Sequence, residues 1–166
     1  NHRLANMEFV RSAKTALALA LALAKDLPAD ADYVRIHDAG DIDSAKEFNA
    51  WILLAEWFPS IVFYGYTKML PLWVKRKHLI PENMVLTASR GGKYDDMITE
   101  HKLREAVVVF SESEAVKLGL NIDQDDSTAA RQDKRNISFA LLIHGQGAAG
   151  SRQAQIMADN RKKVTA

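Results

Sequence analysis

Residues able to exchange protons follow the first short apolar segment of the chain. The sequence HDAGD occupies positions 37–41, directly after the segment 33–36. A histidine flanked by carboxylates can act as a general acid or base, so we expect His37 to move protons. Asp38 and Asp41 are then expected to bind a cation or to position a substrate hydroxyl. The competing hypothesis makes His37 a core residue and Asp41 the cap of the next helix.

A tyrosine and a lysine follow the second apolar segment, which covers residues 61–66. Lys68 is suited to a phosphate or a carboxylate, and Tyr66 can stack on a ring or donate a hydrogen bond. An aromatic core residue beside an exposed lysine would give the same pattern. The sequence therefore indicates a ligand-binding role for this pair without deciding between the two interpretations.

The third apolar segment is followed by the sequence SRGGK at positions 89–93. Gly91 and Gly92 would allow backbone N–H groups to face an anion at a helix start, with Lys93 adding charge and Ser89 a hydroxyl. The spacing is not that of a Walker loop. A surface turn is the alternative interpretation, and the segment remains a candidate phosphate-binding turn.

Further polar motifs lie in the second half of the chain. His144 follows the fifth apolar segment, and the sequence after it, GQGAAG at 145–150, has no second strand to complete a dinucleotide-binding unit. The acidic stretch DQDDS at 123–127 lacks the EF-hand frame, so a solvated loop is favoured over a cation site. These residues identify neither a cofactor nor a resident metal.

Composition restricts the classes of function. The chain has 166 residues, 48% of them hydrophobic, a formal net charge of +1 and no cysteine. The absence of cysteine excludes a disulfide scaffold, a thiol nucleophile and a thiolate metal site within this chain. A near-zero net charge disfavours a dedicated nucleic-acid binder. The apolar run at residues 16–24 is far below the ~20 residues that span a bilayer. We favour a buried helix over a secretory signal there, and a cytoplasmic location.

Apolar patterning and capping signals divide the chain into alternating helices and strands. Strands are predicted at 33–36, 61–66, 84–88, 106–110 and 139–143. Helices are predicted at 3–26, 44–58, 95–102, 111–118 and 151–163. This order predicts an α/β protein with a mostly parallel five-stranded sheet and helical crossovers. The sheet is expected to form either a partial (β/α) barrel or an open doubly wound sheet, in one domain over 1–166.

Either architecture brings the polar motifs together. Ligands of parallel α/β proteins bind outside the carboxyl ends of the strands, where the motifs described above are predicted to lie. The lysines and the glycine turn favour a small anionic ligand, such as a nucleotide. We therefore expect a ligand site along this edge of the sheet.

Segments 33–41, 63–68 and 86–93 together resemble an uncharacterised family of phage and mobile-element proteins, usually called the gene product eighty-eight family. The stretches 106–111, 123–127 and 141–145 follow in the same order. Members of that family typically carry an upstream cysteine-rich segment, similar to the cluster-binding part of radical S-adenosylmethionine enzymes. Their βα repeats also resemble part of such a barrel. The resemblance implies a partial barrel and an S-adenosylmethionine-like ligand. Because this chain lacks cysteine, it is expected to be a fragment or a short form without the cluster.

Two classes of function follow. The favoured class is an enzyme or small-ligand binder, with His37 as the acid/base and Asp41 as the positioning carboxylate. The alternative is a phage-encoded interaction protein that forms homo-oligomers or binds a host protein, because a partial barrel leaves sheet edges and apolar surface uncovered. Its candidate surface consists of Trp51, Trp57, Trp73 and the helix around residues 16–24.

Overall fold

The computed structural model describes residues 2–38 and 40–143, the side chains of residues 2–6 excepted. The strands are β1 (Tyr33–Ile36), β2 (Val62–Thr67), β3 (Met84–Ser89), β4 (Glu105–Val109) and β5 (Phe139–Leu142). The helices are α1 (His2–Ser12), α2 (Ala16–Asp26), α3 (Ala45–Trp57), α4 (Leu70–Arg76), α5 (Asp96–Glu100) and α6 (Glu112–Lys117). Two 3₁₀ turns cover Lys77–Leu79 and Gln132–Lys134.

The five strands form one sheet in the order β1-β2-β3-β4-β5, and every neighbouring pair is parallel. Since crossovers between parallel strands are right-handed in nearly all proteins, an order that never reverses is expected to place the crossovers on one face of the sheet. The sheet curls into a half-barrel. The predicted α/β class and partial barrel are confirmed. The doubly wound alternative, which needs a reversal of strand order, does not describe these strands.

The larger core lies between the outer face of the sheet and the helices. Phe63 and Met84 of the sheet are fully buried there beside Phe48 of α3. The first two strands approach each other closely at Gly65, which is in register with Ile36. A Cβ atom at Gly65 would lie 2.9 Å from the carbonyl oxygen of Ile36, so only glycine fits at this position.

The inner, concave face carries a smaller cluster. Ala106 and Phe139 are buried there, and Tyr64 and Tyr66 pack against them. Strand β4 is not buried on both faces as parallel strands usually are, because the side chain of Val108 is 49% exposed. Val108 lies on the concave face, as Ala106 does. It is exposed because a half-barrel has no opposing strands to cover that face.

The amino-terminal helix predicted at residues 3–26 consists of two helices. Thr15 is the N-cap of α2, and its hydroxyl accepts a hydrogen bond from Ala18 N at 3.1 Å. Lys46 of α3 donates to the carbonyl oxygens of Val10 and Ala13, which lie where α1 ends. The side-chain cap and the lysine satisfy backbone groups at the break, so two shorter helices replace one.

Helix α2 is less buried than its composition predicts. Leu19 and Ala20 are buried against Ala50 of α3, whereas Leu17 and Leu21 are more than half exposed. The expectation that most of its surface is buried is therefore wrong, because α2 contacts its neighbour along one stripe only. No helix in the described part of the chain is long and apolar enough to cross a membrane.

The three tryptophans do not share a surface. Trp51 and Trp73 belong to the core, and Trp57 at the end of α3 is partly exposed. An interaction surface built from all three is therefore excluded.

Two serine–glutamate capping boxes, Ser44 with Glu47 and Ser111 with Glu114, form the serine half of the motif in the structure. The Ser44 hydroxyl accepts a hydrogen bond from Glu47 N, and the Ser111 hydroxyl accepts one from Glu114 N, each at 3.2 Å. These caps fix the starts of α3 and α6, the helices that follow β1 and β4.

Candidate functional site

A cavity of about 390 Å³ opens at the carboxyl edge of the half-barrel. Four residues predicted from the sequence lie in its wall: His37, Asp38, Tyr66 and Ser89. The remaining wall comes from β1, from Gly40 in the loop after it, from the loop that precedes β5, and from β5 itself. The cavity lies where ligands of parallel α/β proteins bind.

One residue of this wall, His37, pairs with a buried carboxylate that does not itself line the cavity. His37 Nε2 lies 2.5 Å from Oε1 of Glu47, whose side chain is 1% exposed. The other oxygen of Glu47 accepts a hydrogen bond from Asp43 N at 3.0 Å. The hydrogen bond to Glu47 raises the pKa of His37 above 6.5, against the opposing effect of burial. Glu47 thus holds the imidazole of His37 in place and favours its protonated form.

The backbone of His37 is in the left-handed region, with φ of 59°. Histidine is several-fold enriched among the uncommon non-glycine residues that adopt it, and the conformation carries a cost of about 1–2 kcal/mol. The hydrogen bond to Glu47 and the edge of Trp51, 6.5 Å away between ring centroids, hold the imidazole in this conformation.

A second group of charges in the cavity centres on Asp126. Its carboxylate accepts a hydrogen bond from Tyr66 Oη at 2.8 Å, and it lies 2.8 Å from Arg35 Nη1. A longer bond of 3.4 Å comes from Tyr64. The guanidinium of Arg35 also lies 5.5 Å from the centroid of the Tyr66 ring. Asp126 therefore joins the loop before β5 to β1 and β2 across the concave face.

The same arrangement keeps the tyrosines protonated. Burial, followed by the hydrogen bond to Asp126, raises the pKa of Tyr66 far above its usual range. Burial also raises the pKa of Tyr64. Neither phenol serves as a proton acceptor near neutral pH, so His37 is the better suited of the cavity's titrating groups for proton exchange.

Asp41 lies outside the cavity wall and ties two loops together. Its Oδ1 accepts hydrogen bonds from the Thr67 hydroxyl at 2.6 Å and from Ile42 N at 2.8 Å. Its Oδ2 accepts one from Lys68 N at 2.7 Å. The cap of α3 is Ser44, not Asp41. Asp41 thus positions the loop that contains His37 relative to the end of β2.

The lysine after β2 continues this chain of contacts to the next strand. Lys68 Nζ donates a hydrogen bond to the carbonyl oxygen of Gly91 at 3.1 Å. The backbone N–H groups of Gly91 and Gly92 donate to the carboxylate of Asp95 at 2.8 and 2.9 Å. The turn has the anion-binding geometry expected of it, and a carboxylate of the chain itself occupies it. An external anion would have to displace Asp95.

The other predicted residues that the structure describes do not line the cavity. Lys93 is exposed, and its ammonium lies 5.5 Å from the ring centroid of Tyr94. His144 lies outside the described residues. The glycine turn with Lys93, and Lys68 bonded to it, lies outside the cavity wall. The polar residues predicted at the carboxyl edge therefore fall into two groups, one in the cavity wall and one in the loops beside it.

Three polar side chains of the cavity have no hydrogen-bond partner among the residues that the structure describes: Asp38, Ser89 and Gln124. Asp38 and Gln124 are exposed, and Ser89 is partly buried. A carboxylate, a hydroxyl and an amide are thus free to contact a ligand.

The acidic stretch 123–127, expected to be a solvated loop, is partly buried. Asp123 is buried, and its carboxylate accepts hydrogen bonds from Thr128 N and Ala129 N. The loop folds into the concave face because the half-barrel leaves that face open. Within the described residues, no group of three or more histidine, aspartate or glutamate side chains could hold a metal ion.

Sequence reasoning missed Arg35, Gln124 and the second role of Glu47. Arg35 is paired in register with Tyr64, so the period of two along β1 and β2 places both on the concave face. That period was the available signal for Arg35. The contact between Asp126 and Tyr66 joins residues 60 positions apart, and no local pattern indicates it.

A comparison with protein-family models matches residues 1–162 to the family described as gene product 88. No curated protein and no solved structure matches the chain. The match agrees with the resemblance carried by the segments at 33–41, 63–68 and 86–93. It does not support the further relation to radical S-adenosylmethionine enzymes.

Proposed function

The chain belongs to the gene product 88 family, and we propose that it binds a small ligand with an anionic group in the cavity at the carboxyl edge. A nucleotide and an S-adenosylmethionine-like molecule both belong to this ligand class. His37 exchanges a proton with the bound ligand.

The buried Glu47 beside His37 is the observation that carries this proposal. A carboxylate that fixes one ring nitrogen of a histidine orients the ring and stabilises its protonated form, as in enzymes that use histidine as a general acid or base. Since Nε2 is held by Glu47, Nδ1 is the ring nitrogen available to a ligand. No described residue forms a hydrogen bond with Nδ1.

The cavity wall carries charges of both signs, and its basic side chains would contact the anionic group of the ligand. These are Arg35, which also pairs with Asp126, and His37. Two of its carboxylates, Asp123 and Asp126, are already engaged by N–H and O–H donors of the protein. Asp38 has no such partner and is available to a donor group of the ligand. The wall therefore presents both positive charge and one open acceptor.

The size of the cavity suits the same class of ligand. Its volume of about 390 Å³ lies in the lower part of the range of about 300–1,000 Å³ typical of small-molecule sites. Leu141 and Leu142 contribute apolar surface, and the Tyr66 ring adds an aromatic one. Such a wall suits an organic ring with a charged substituent.

A second candidate function is self-association through the first two helices. Leu17 and Leu21 of α2 and Phe9 of α1 are exposed apolar side chains. Exposed apolar clusters mark interaction surfaces in soluble proteins. This candidate needs no ligand and predicts a bare homo-oligomer.

A native mass spectrum of the untreated protein tests the two candidates together. We expect a monomer that carries one small molecule. The variant R35Q is expected to lose that mass, because the cavity then lacks its permanent cation. The matched control R131Q removes an exposed arginine outside the cavity, which pairs with Asp133, and should retain it. A homo-oligomer without added mass would contradict the ligand proposal and favour self-association.

A further inference from the structure

The charges in the wall of the cavity at the carboxyl edge do not balance. Among the residues that the structure describes, five charged or basic side chains line it: Asp38, Asp123, Asp126, Arg35 and His37. Glu47 adds a further carboxylate directly behind His37. Near neutral pH the carboxylates are ionised, so the wall carries net negative charge whether or not His37 is protonated. A cavity with such a wall favours a ligand that carries positive charge as well as its anionic group.

Both basic side chains of the wall already have a carboxylate partner. Arg35 Nη1 lies 2.8 Å from Oδ2 of Asp126, and His37 Nε2 lies 2.5 Å from Oε1 of Glu47. A guanidinium has five N–H donors and an imidazolium has two, so each still has donors for an anionic group of the ligand. Their positive charge, however, is compensated before any ligand binds.

The free charge of the wall is the carboxylate of Asp38. The carboxylate of Asp123 accepts hydrogen bonds from the backbone N–H groups of Thr128 and Ala129, and that of Asp126 pairs with Arg35. Asp38 is exposed and forms no hydrogen bond or ion pair with a residue that the structure describes. The strongest unmet demand of this wall is therefore for a cation at Asp38.

The free carboxylate lies directly beside the histidine of the wall. Consecutive Cα atoms are about 3.8 Å apart, and successive side chains of a regular strand face opposite sides. The left-handed φ of His37, 59°, interrupts this alternation, and both His37 and Asp38 line the same cavity. Opposite charges this close suit a ligand whose own opposite charges are separated by one or two carbon atoms, as in the head group of an α-amino acid.

We propose that the ligand of this cavity is zwitterionic, with a primary ammonium group bound by Asp38 and a neighbouring carboxylate bound by Arg35 and His37. The amide oxygen of Gln124, in the same wall, is a further acceptor for the three N–H donors of the ammonium. This inference rests on the function proposed above and narrows its ligand class. An amino-acid head group satisfies Asp38, whereas a ligand whose only charge is negative, such as a nucleoside monophosphate, does not.

Calorimetric titration with three adenosine compounds tests the charges of the head group. S-adenosylhomocysteine carries an ammonium and a carboxylate, methylthioadenosine carries neither, and adenosine monophosphate carries negative charge only. We expect S-adenosylhomocysteine to bind the wild-type protein at least about tenfold more tightly than either of the other two, because one hydrogen bond between charged groups contributes that much affinity.

The variant D38N tests the residue that binds the ammonium. Asparagine keeps the shape of the side chain and removes its charge, so binding of S-adenosylhomocysteine should weaken by about tenfold. Binding of methylthioadenosine, which has no ammonium, should stay as in the wild type. The matched control D43N removes a carboxylate of the same loop that lies outside the cavity wall and pairs with Arg11. It should bind all three compounds as the wild type does.

Two kinds of failure are distinguishable. Tighter binding of adenosine monophosphate than of S-adenosylhomocysteine would overturn the zwitterionic ligand and leave the ligand site itself in place. So would unchanged binding of S-adenosylhomocysteine by D38N, or an equal loss of this compound and methylthioadenosine. Absence of binding of all three compounds by the wild-type protein would overturn this inference together with the function on which it rests.

Discussion

Replacing Asp41 with alanine is expected to destabilise the protein by about 3 kcal/mol, because three donors lose one charged acceptor. The largest part comes from the Thr67 hydroxyl, which is buried and would keep only Met69 N as a neighbour in hydrogen-bond distance. For a chain of this length, the melting temperature should fall by about 6–12 °C. Thermal unfolding followed by circular dichroism measures this loss.

Asp43 provides the matched control for Asp41, two positions along the same loop. Its carboxylate pairs with Arg11, and both side chains are largely exposed. An exposed ion pair contributes about 0–1 kcal/mol, so D43A should change the melting temperature little. Equal effects of D41A and D43A would show that the tie between the loop and β2 contributes no more than a surface contact.

The variant E47Q is expected to lower the pKa of His37 towards its ordinary value or below it. The hydrogen bond to Glu47 is the largest cause of the raised pKa, and burial, which lowers it, remains after the substitution. An NMR titration of the histidine ring measures the pKa directly. Since glutamine has nearly the same shape, the helix cap persists while the charge is removed.

The same variant should change how stability depends on pH. A histidine whose pKa is raised on folding stabilises the folded state fully below about pH 6.5, the unfolded value. That contribution is lost as the pH rises through the pKa of folded His37. E47Q should therefore cost about 1.5–3 kcal/mol at about pH 6 and less at about pH 9. Urea unfolding at the two pH values gives both figures.

Glu114 offers the control for E47Q. It occupies the equivalent position of the second capping box, accepts a hydrogen bond from Phe110 N, and has no histidine partner. E114Q should therefore leave the pKa of His37 unchanged and show no such pH dependence. A matching pH dependence in E114Q would mean that the effect belongs to capping glutamates in general and not to His37.

Local chemistry made the elements of this fold predictable. The two serine–glutamate capping boxes mark the starts of α3 and α6, and short β-branched segments mark the strands. The break at Thr15 was missed, because a run of good helix formers outweighs a single capping residue in any local count. The curl of the sheet depends on strand order, which tertiary packing decides.

The residues of the candidate site were predictable only where strand order alone brings them together. Polar residues after parallel strands meet at one edge of the sheet, and this brings His37, Tyr66 and Ser89 to one cavity. The pattern could not show that Asp41 and Lys68 use their polar atoms to tie loops together. Those partners lie more than twenty positions away, and only the fold brings them into contact.

Titration of the protein with adenosine monophosphate, and separately with S-adenosylmethionine, tests the central proposal most directly when the histidine rings are followed by NMR. We expect the ring resonances of His37 to shift and saturate with at least one of the two ligands. Those of His78 and His101, which lie outside the cavity wall, should stay in place. Unchanged His37 resonances with both ligands, or equal shifts of His37, His78 and His101, would contradict a ligand site at the carboxyl edge.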